Sequence, residues 1–123
     1  FKHPFEPHTG THPVGHNMVN APLRARSDGK DVRELVTHRW IPALDDFKPE
    51  MIFISAGFDG HREDEMGGLN LVEADYAWIT EQVMGVARRW SKGRIVSCLE
   101  GGYDLSSLSR SVAAHLRALS GEA

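Results

Sequence analysis

Two short apolar runs, each followed by a glycine-containing loop, most constrain the fold of this chain. The first run covers residues 51–56 (Met-Ile-Phe-Ile-Ser-Ala), and the second covers residues 94–99 (Arg-Ile-Val-Ser-Cys-Leu). Both contain β-branched residues and alternate little between polar and apolar, which is typical of parallel strands covered on both faces. The sequence therefore predicts two buried strands, with a loop leaving the carboxyl end of each.

Amphipathic segments lie before, between and after these runs. Residues 31–47 have an apolar side, begin with the capping-box pair Asp31 and Glu34, and stop before Pro49. Pro42 lies inside this segment and predicts a kink or a break into two short helices. Residues 71–90 and the segment after Asp104, a suitable N-cap, also repeat apolar residues at helical spacing. This alternation indicates an α/β fold with a parallel sheet, whose two strands need neighbours that this sequence does not supply.

The composition excludes several classes of protein. The formal charge of −3 and the pI near 6.2 provide no basic surface, so direct nucleic-acid binding is not expected. No apolar stretch approaches the roughly 20 residues that span a membrane, and no signal peptide is present, which indicates an intracellular, cytoplasmic location. The single cysteine, Cys98, lies within the second predicted strand and is expected to be a small buried core residue.

The loops at the carboxyl ends of the predicted strands carry the residues best suited to chemistry. Asp59 stands on a glycine-flanked turn after the first strand, where it suits either a divalent metal or the capping of a turn. Asp64 lies further along the same loop and is better suited to a solvated or loop-bracing role. Tyr103 follows two glycines after the second strand, where its hydroxyl either donates to a developing oxyanion or serves packing.

Histidines are weaker candidates. His61 lies two residues after Asp59, and together they could reach one zinc ion, but no further ligand nearby completes a site. Four other histidines occur within the first 16 residues, where Gly10, Pro13 and Gly15 prevent a helix. We expect loop positions with local hydrogen bonds for these four: His3, His8, His12 and His16.

Three segments resemble the histone deacetylase superfamily. Residues 55–67 read Ser-Ala-Gly-Phe-Asp-Gly-His-Arg-Glu-Asp-Glu-Met-Gly and resemble the family's Ser-Ala-Gly-Phe-Asp-Ala-His-x-x-Asp-Pro-Leu-Gly segment, most closely in its class II and bacterial amidohydrolase branch. Residues 99–105 are similar to its Leu-Glu-Gly-Gly-Tyr-x-Leu loop. Residues 3–10 and 20–23 are similar to its Pro-Phe-Tyr-Pro-x-Thr-Gly and Asn-Val-Pro-Leu segments. The segments keep the family's order and cover nearly the whole chain.

This resemblance implies an arginase-like α/β fold, a three-layer parallel sheet with flanking helices, and a Zn2+ ion held by two aspartates and a histidine. Carried over by position, Asp59 is a zinc ligand and Tyr103 hydrogen-bonds the substrate carbonyl. Met66 matches a position at the mouth of the substrate tunnel. Gly101 and Gly102 match the loop that lies against the alkyl chain of the substrate. The resemblance also allows a structural K+ ion in the intact enzyme.

Two departures from the family pattern bear on function. Glu6 stands where the family usually has an aromatic tunnel wall, so it either favours a cationic substrate or turns away and leaves Phe5 as the wall. The family's Asp-x-His-His-Gly segment, which provides the other zinc ligands, and its general-base His-His pair do not occur in this sequence. We therefore interpret residues 1–123 as the C-terminal part of one deacetylase catalytic domain, inactive on its own and prone to self-association.

The function implied by the resemblance is zinc-dependent hydrolysis of acetyl-lysine or a similar N-acetylated amine. Two alternatives remain open: an acetylpolyamine amidohydrolase, and a non-catalytic fragment or pseudoenzyme that contributes only an interface. An arginase-like hydrolase agrees less well, because such enzymes use paired manganese and lack the Gly-Gly-Tyr loop. The sequence does not choose between acetyl-lysine, acetylpolyamine and other acylamide substrates.

Overall fold

The computed structural model describes residues 18–122 of the chain. In chain order, its elements are helix α1 (Gly29–Leu35), a π-helical turn (Val36–Trp40), helix α2 (Ile41–Phe47), strand β1 (Ile52–Ala56), helix α3 (Glu73–Trp90), strand β2 (Ile95–Leu99) and helix α4 (Leu105–Ser120). This order agrees with the predicted alternation. No helix within residues 18–122 is long and apolar enough to cross a bilayer.

Helix α1 begins earlier than the sequence pattern predicted. Its N-cap is Asp28, whose carboxylate accepts the Asp31 N–H at 3.2 Å, while the Asp31 carboxylate accepts the Asp28 N–H at 3.0 Å. The capping box is therefore Asp28 with Asp31, and the expected pair of Asp31 with Glu34 is wrong. Both pairs have the same spacing, but Asp28 has the extended backbone of an N-cap, with φ of −106° and ψ of −173°.

Pro42 interrupts the helical segment as expected. The helix widens into a π-helical turn just before it, and the Ile41 N–H bonds the Val36 carbonyl oxygen five residues back. Proline has no N–H for the preceding turn and its ring crowds the carbonyl four residues earlier, so a wider turn relieves both problems. Helix α2 then ends at Phe47, where Lys48 takes the left-handed conformation with φ of 55°.

The two strands pair in parallel, with Ile52 opposite Ile95 and Ala56 opposite Leu99. One face of β1 is covered by helices, because Ile52 and Ala56 are buried. The other face is open, and Phe53 on it is 71% exposed. Within residues 18–122, the chain therefore supplies a sheet and one helical layer.

The open sheet corrects the expectation for Cys98, which is exposed rather than buried. Every residue of β2 after Ile95 is exposed. Apolar, β-branched composition predicted that β2 would be covered on both sides, but burial depends on neighbouring layers as well as on the strand itself. No such layer covers Cys98 within the described part of the chain.

Two apolar clusters hold the helices against the covered face. The larger cluster includes Phe58 and Tyr76, whose ring centroids lie 5.0 Å apart, and Val36 from the π-helical turn. The smaller cluster joins Ile52 of β1 to Val86 and Ala87 of α3. Because the larger cluster contains Phe58, the loop after β1 is packed into the core at its first turn.

Helix α4 is attached to both α3 and β2 through His115. The Thr80 hydroxyl donates to the Tyr76 carbonyl oxygen at 2.7 Å, so it accepts from His115 Nδ1, also at 2.7 Å. His115 Nε2 then accepts from the Ser97 hydroxyl at 2.8 Å. One buried imidazole thus joins three elements, and burial lowers its pKa.

Candidate functional site

The loops that follow β1 and β2 run side by side beyond the strands. The Glu100 N–H bonds the Ala56 carbonyl oxygen at 2.9 Å, and the Phe58 N–H bonds the Gly101 carbonyl oxygen at 2.7 Å. These bonds extend the parallel ladder into the loops. The two motif loops therefore meet at the carboxyl edge of the sheet, as the sequence predicted.

The Asp59 carboxylate lies against the second loop. A Cβ atom added to Gly101 would stand 2.9 Å from Asp59 Oδ1 and 3.0 Å from its Cγ, so only glycine leaves room for the carboxylate there. Gly67 packs behind Asp59, where an added Cβ would stand 2.0 Å from the Asp59 carbonyl oxygen. The half-buried carboxylate is thus held at the junction of the two loops.

Tyr103 leaves the second loop toward solvent. Gly102 before it has φ of 147°, a conformation that L side chains rarely adopt, and an added Cβ would stand 2.5 Å from Leu108 Cδ1. The Tyr103 side chain is 61% exposed, so packing does not account for its position. The role of the Tyr103 hydroxyl as an oxyanion donor stays a prediction of the sequence.

Asp64 braces the two loops, which was one of the two roles expected for it. The other expected role, a solvated side chain, is wrong. Its side chain is 6% exposed and accepts the N–H groups of Tyr103 at 2.7 Å, Met66 at 2.9 Å and Asp104 at 3.1 Å. These donors lower the pKa of the Asp64 carboxyl, with the Tyr103 N–H as the largest cause. Both carboxylate oxygens are engaged by backbone, so Asp64 is a brace.

His61 is buried under the first loop and takes part in an ionic cluster of its own. The Glu63 N–H donates to His61 Nδ1 at 3.1 Å, which places the ring proton on Nε2, facing the Glu73 carboxylate at 3.3 Å. The Arg110 guanidinium from α4 contacts both the Glu63 and Glu73 carboxylates and lowers the pKa of Glu73 to about 2.

This cluster is the one set of three side chains within residues 18–122 that stands close enough together to hold a metal ion. Asp59 is not part of it, so no set of three side chains within residues 18–122 joins Asp59 to His61. Arg110 already supplies the positive charge between the two glutamates. We interpret the cluster as an ion-pair network that ties the first loop to α3 and α4.

Met66 is 70% exposed on the first loop, and its position at the mouth of a substrate tunnel stays a prediction. Phe5 and Glu6, the candidate wall residues, lie outside the described residues, as do the four histidines of the first 16 residues. The sequence did not single out Gly67 or Arg110. Gly67 belongs to the motif segment, and a glycine there is a signal of close backbone contact that could have been used. No local sequence pattern identifies Arg110, because its partners are distant along the chain.

Comparison with known proteins shows which family this chain is similar to. The histone deacetylase domain family matches residues 2–119. Over 104 residues, the chain is 45% identical to Type-2 histone deacetylase 1 of Dictyostelium discoideum, a match that covers 85% of this chain and 7% of that protein. Over 104 residues it is 38% identical to the chloroplastic Histone deacetylase 14 of Arabidopsis thaliana, with coverage of 85% and 25%.

Solved structures show the same fold. The HD domain of HDA15 superposes with a TM-score of 0.78 at 33% identity, over 85% of this chain and 29% of that chain. The histone deacetylase Clr3 superposes with a TM-score of 0.79 at 32% identity, over 85% of this chain and 17% of that chain. The expected arginase-like α/β fold is therefore confirmed.

The chain spans a small share of its relatives, 7% of the Dictyostelium protein and 25% of the Arabidopsis protein. The match to the family nevertheless covers residues 2–119, which is almost the whole chain. Both motif loops lie within that match and meet at the carboxyl edge of the sheet. This chain belongs to the histone deacetylase family.

Proposed function

We propose that this chain is the C-terminal part of a zinc-dependent deacetylase domain, in which Asp59 is a zinc ligand and Tyr103 stabilises the oxyanion. One observation carries the proposal. The Asp59 carboxylate lies so close to the loop of Gly101 that a methyl group would not fit between them. A ligand for a cation and a phenol donor therefore belong to adjoining loops at the edge where α/β proteins bind substrates.

Asp59 fits one position of a zinc site. Its carboxylate is half-buried and has the oxygen donors that zinc accepts from aspartate. In our proposal the other two protein ligands come from the family's Asp-x-His-His-Gly segment, outside these 123 residues. When bound, zinc supplies Lewis-acid polarisation of the acetyl carbonyl and a bound water whose pKa falls toward about 7.

Within this chain, Tyr103 is the residue that stabilises the negative charge of the transition state. Its hydroxyl donates to the carbonyl oxygen of the substrate as negative charge develops there, a contact that typically contributes roughly 10²–10³ in rate. Gly101 and Gly102 leave the floor of the channel bare, so the alkyl chain of the substrate approaches the backbone closely. In our proposal, a histidine outside these 123 residues would accept the proton of the attacking water.

The substrate is an N-acetylated amine, and acetyl-lysine is the first candidate. An acetylated polyamine is the second, because the Glu6 carboxylate at the wall position would attract its remaining ammonium groups. Met66, Phe5 and Glu6 line the channel in this proposal, with the exposed Met66 at its rim.

The proposed activity is tested in the intact catalytic domain that contains these residues. The domain should release acetate from an acetyl-lysine peptide or from an N-acetylated polyamine. A chelator should abolish turnover, and added Zn2+ should restore it. A zinc-loaded domain that hydrolyses neither substrate would reject the enzyme and favour the pseudoenzyme alternative.

A further inference from the structure

The Asp64 carboxylate connects the two motif loops across 39 residues of sequence. One oxygen, Oδ2, accepts both the Tyr103 N–H at 2.7 Å and the Asp104 N–H at 3.1 Å. The other oxygen, Oδ1, accepts the Met66 N–H from its own loop at 2.9 Å. All three donors belong to the backbone, so the carboxylate determines the path of the second loop relative to the first.

These contacts favour an ionised carboxylate. Its three N–H donors lower the pKa of Asp64, and hydrogen bonds to a charged acceptor are about twice as strong as neutral ones. The side chain is 6% exposed, so water does not compete for its oxygens. Asp64 is thus a fixed, negatively charged anchor for the backbone of the second loop.

Tyr103 needs such an anchor. Within residues 18–122, Tyr103 is 61% exposed, so the described core does not hold it. Two glycines precede it, and glycine has no Cβ to restrict its backbone, as the φ of 147° at Gly102 illustrates. The bond at the N–H of Tyr103 itself is the contact that removes this freedom on the N-terminal side of the residue.

We propose that Asp64 is a positioning residue, which holds the backbone of Tyr103 so that its hydroxyl meets the reacting carbonyl. The inference rests on the proposed catalytic role of Tyr103. In this proposal Asp64 contacts neither the substrate nor the metal, and both of its oxygens act on the backbone of the two loops. Its effect is on orientation, where a displacement of about 1 Å can cost up to roughly 10²-fold in rate.

The test is Asp64→Asn in the intact, zinc-loaded domain. The amide keeps the shape of the side chain but replaces one acceptor oxygen with an NH2 group, which then faces a backbone N–H. We expect kcat to fall by roughly 10- to 100-fold with little change in KM and with bound zinc unchanged. An unchanged kcat would overturn the proposal.

Asp104→Asn is the matched control. It makes the same chemical change one residue from Tyr103, but the Asp104 carboxylate caps α4 by accepting the Ser107 N–H at 2.9 Å. Asparagine is as good an N-cap as aspartate, so we expect kcat within about twofold of wild type. Equal losses in the two variants would mean that any Asp-to-Asn change in this loop lowers kcat, and would overturn the specific role of Asp64.

A double mutant separates positioning from general support of the fold. In a Tyr103→Phe background, Asp64→Asn should change kcat by less than about threefold, because the group that Asp64 positions is already absent. The same 10- to 100-fold loss in both backgrounds would overturn the positioning role alone. A Tyr103→Phe variant that keeps wild-type kcat would reject the proposed function, and this inference with it.

Amide hydrogen exchange in the wild-type domain tests the anchor without any substitution. The amides of Tyr103 and Asp104 should exchange at least tenfold more slowly than their intrinsic rates, because both donate to a buried carboxylate. Exchange at the intrinsic rate would overturn the proposal even if the Asp64→Asn variant does not fold.

Discussion

Two aspartates five residues apart on one loop have different environments, and the difference assigns their roles. The Asp59 carboxylate is half-buried and lies over the bare backbone of Gly101 at the loop junction. The Asp64 carboxylate is buried and accepts three backbone N–H groups. These contacts hold both of its oxygens against backbone, so Asp64 is the brace and the less engaged Asp59 is the better candidate ligand.

Zinc content should distinguish the two aspartates in the intact domain. Asp59→Asn should abolish zinc retention, because the variant loses an anionic ligand. Asp64→Asn should keep stoichiometric zinc, because its oxygens bind backbone. Atomic absorption on both purified variants measures the difference, and the reverse ranking would show that the aspartates are wrongly assigned.

Tyr103→Phe should lower kcat by roughly 10²–10³ and change KM little in the intact domain. The hydroxyl acts on a charge that develops only in the transition state, so substrate binding is spared. Because the change keeps the ring and removes only one oxygen, the melting temperature and zinc content should stay near wild type. Kinetics and thermal melts on the same samples check this, and retention of most of the kcat would remove Tyr103 from the mechanism.

Gly101→Ala should displace the Asp59 carboxylate, because the added methyl would stand 2.9 Å from its Oδ1. We expect weaker zinc binding in the intact domain, measured by competition with a chelator. Gly85→Ala is the control, because it lies within α3 and its added methyl meets only the flexible end of Arg89. Alanine suits a helix better than glycine by roughly 0.5–1 kcal/mol, so this control should bind zinc normally and be slightly more stable. Equal zinc affinity in the two variants would contradict the close contact at Gly101.

At the scale of elements, the site depends on how α4 is attached to the rest of the fold. Asp104 caps the helix directly after Tyr103, so the start of α4 determines where the second loop ends. Further along, His115 joins α4 to α3 and β2 with hydrogen bonds of 2.7 and 2.8 Å. Arg110 adds ion pairs from α4 to Glu63 in the first loop and Glu73 in α3. Helix α4 therefore holds both motif loops.

The His115 network predicts a pH dependence of stability. Burial lowers the pKa of His115 below its ordinary value of 6.5, so between the two values the unfolded chain binds a proton that the folded chain does not. Stability is therefore fully present above pH 6.5 and is lost as the pH falls below it, by at most about 1.4 kcal/mol per pH unit.

Urea unfolding at pH 7.5 and pH 5.5 measures this loss, with His115→Gln as the reference because glutamine does not titrate. The wild type should lose more unfolding free energy between the two pH values than the variant. The carboxyls of Asp64, Asp104 and Glu73 have lowered pKa values. Their protonation changes the unfolding free energy at pH values below this interval, so it does not account for the loss between pH 7.5 and pH 5.5. An equal loss in both proteins would show that His115 is readily protonated in the folded state.

At the scale of the whole molecule, residues 18–122 form a helical layer on one face of a two-stranded sheet, with the other face open. Phe53 on β1, Val96 opposite it on β2 and Met51 just before β1 are 71%, 37% and 43% exposed. Exposed apolar residues next to unpaired strand edges promote association with other chains. In the solved relatives, the matching region is 17% to 29% of a longer chain.

We expect residues 1–123 alone to self-associate and to lack deacetylase activity, because the sequence holds a single member of the family's zinc-ligand set. Phe53→Glu should reduce the associated fraction in light scattering, since it places charge on the open sheet face. Phe47→Glu is the control, because Phe47 is 68% exposed at the end of α2. A monodisperse wild-type chain, or zinc-dependent turnover by it, would contradict this expectation.

The sequence by itself determined the features that depend on neighbouring residues. Strand-forming runs, the helix-breaking Pro42 and the capping Asp104 act within a turn or two of chain, so local spacing was enough to predict both strands and the start of α4. The motif segments likewise identified the family and placed Asp59 and Tyr103 on the two loops. The roles of Phe5 and Glu6 stay predictions of the sequence.

Only the tertiary structure decided the features that join distant parts of the chain. The donors that make Asp64 a brace include the N–H of Tyr103, 39 residues away, and Arg110 pairs with Glu63 from 47 residues away. The exposure of Cys98 likewise depends on which layers cover β2 rather than on the composition of the strand. Burial and long-range hydrogen bonds arise from the packing of whole elements, so they become fixed only when the loops and helices occupy their places around the sheet.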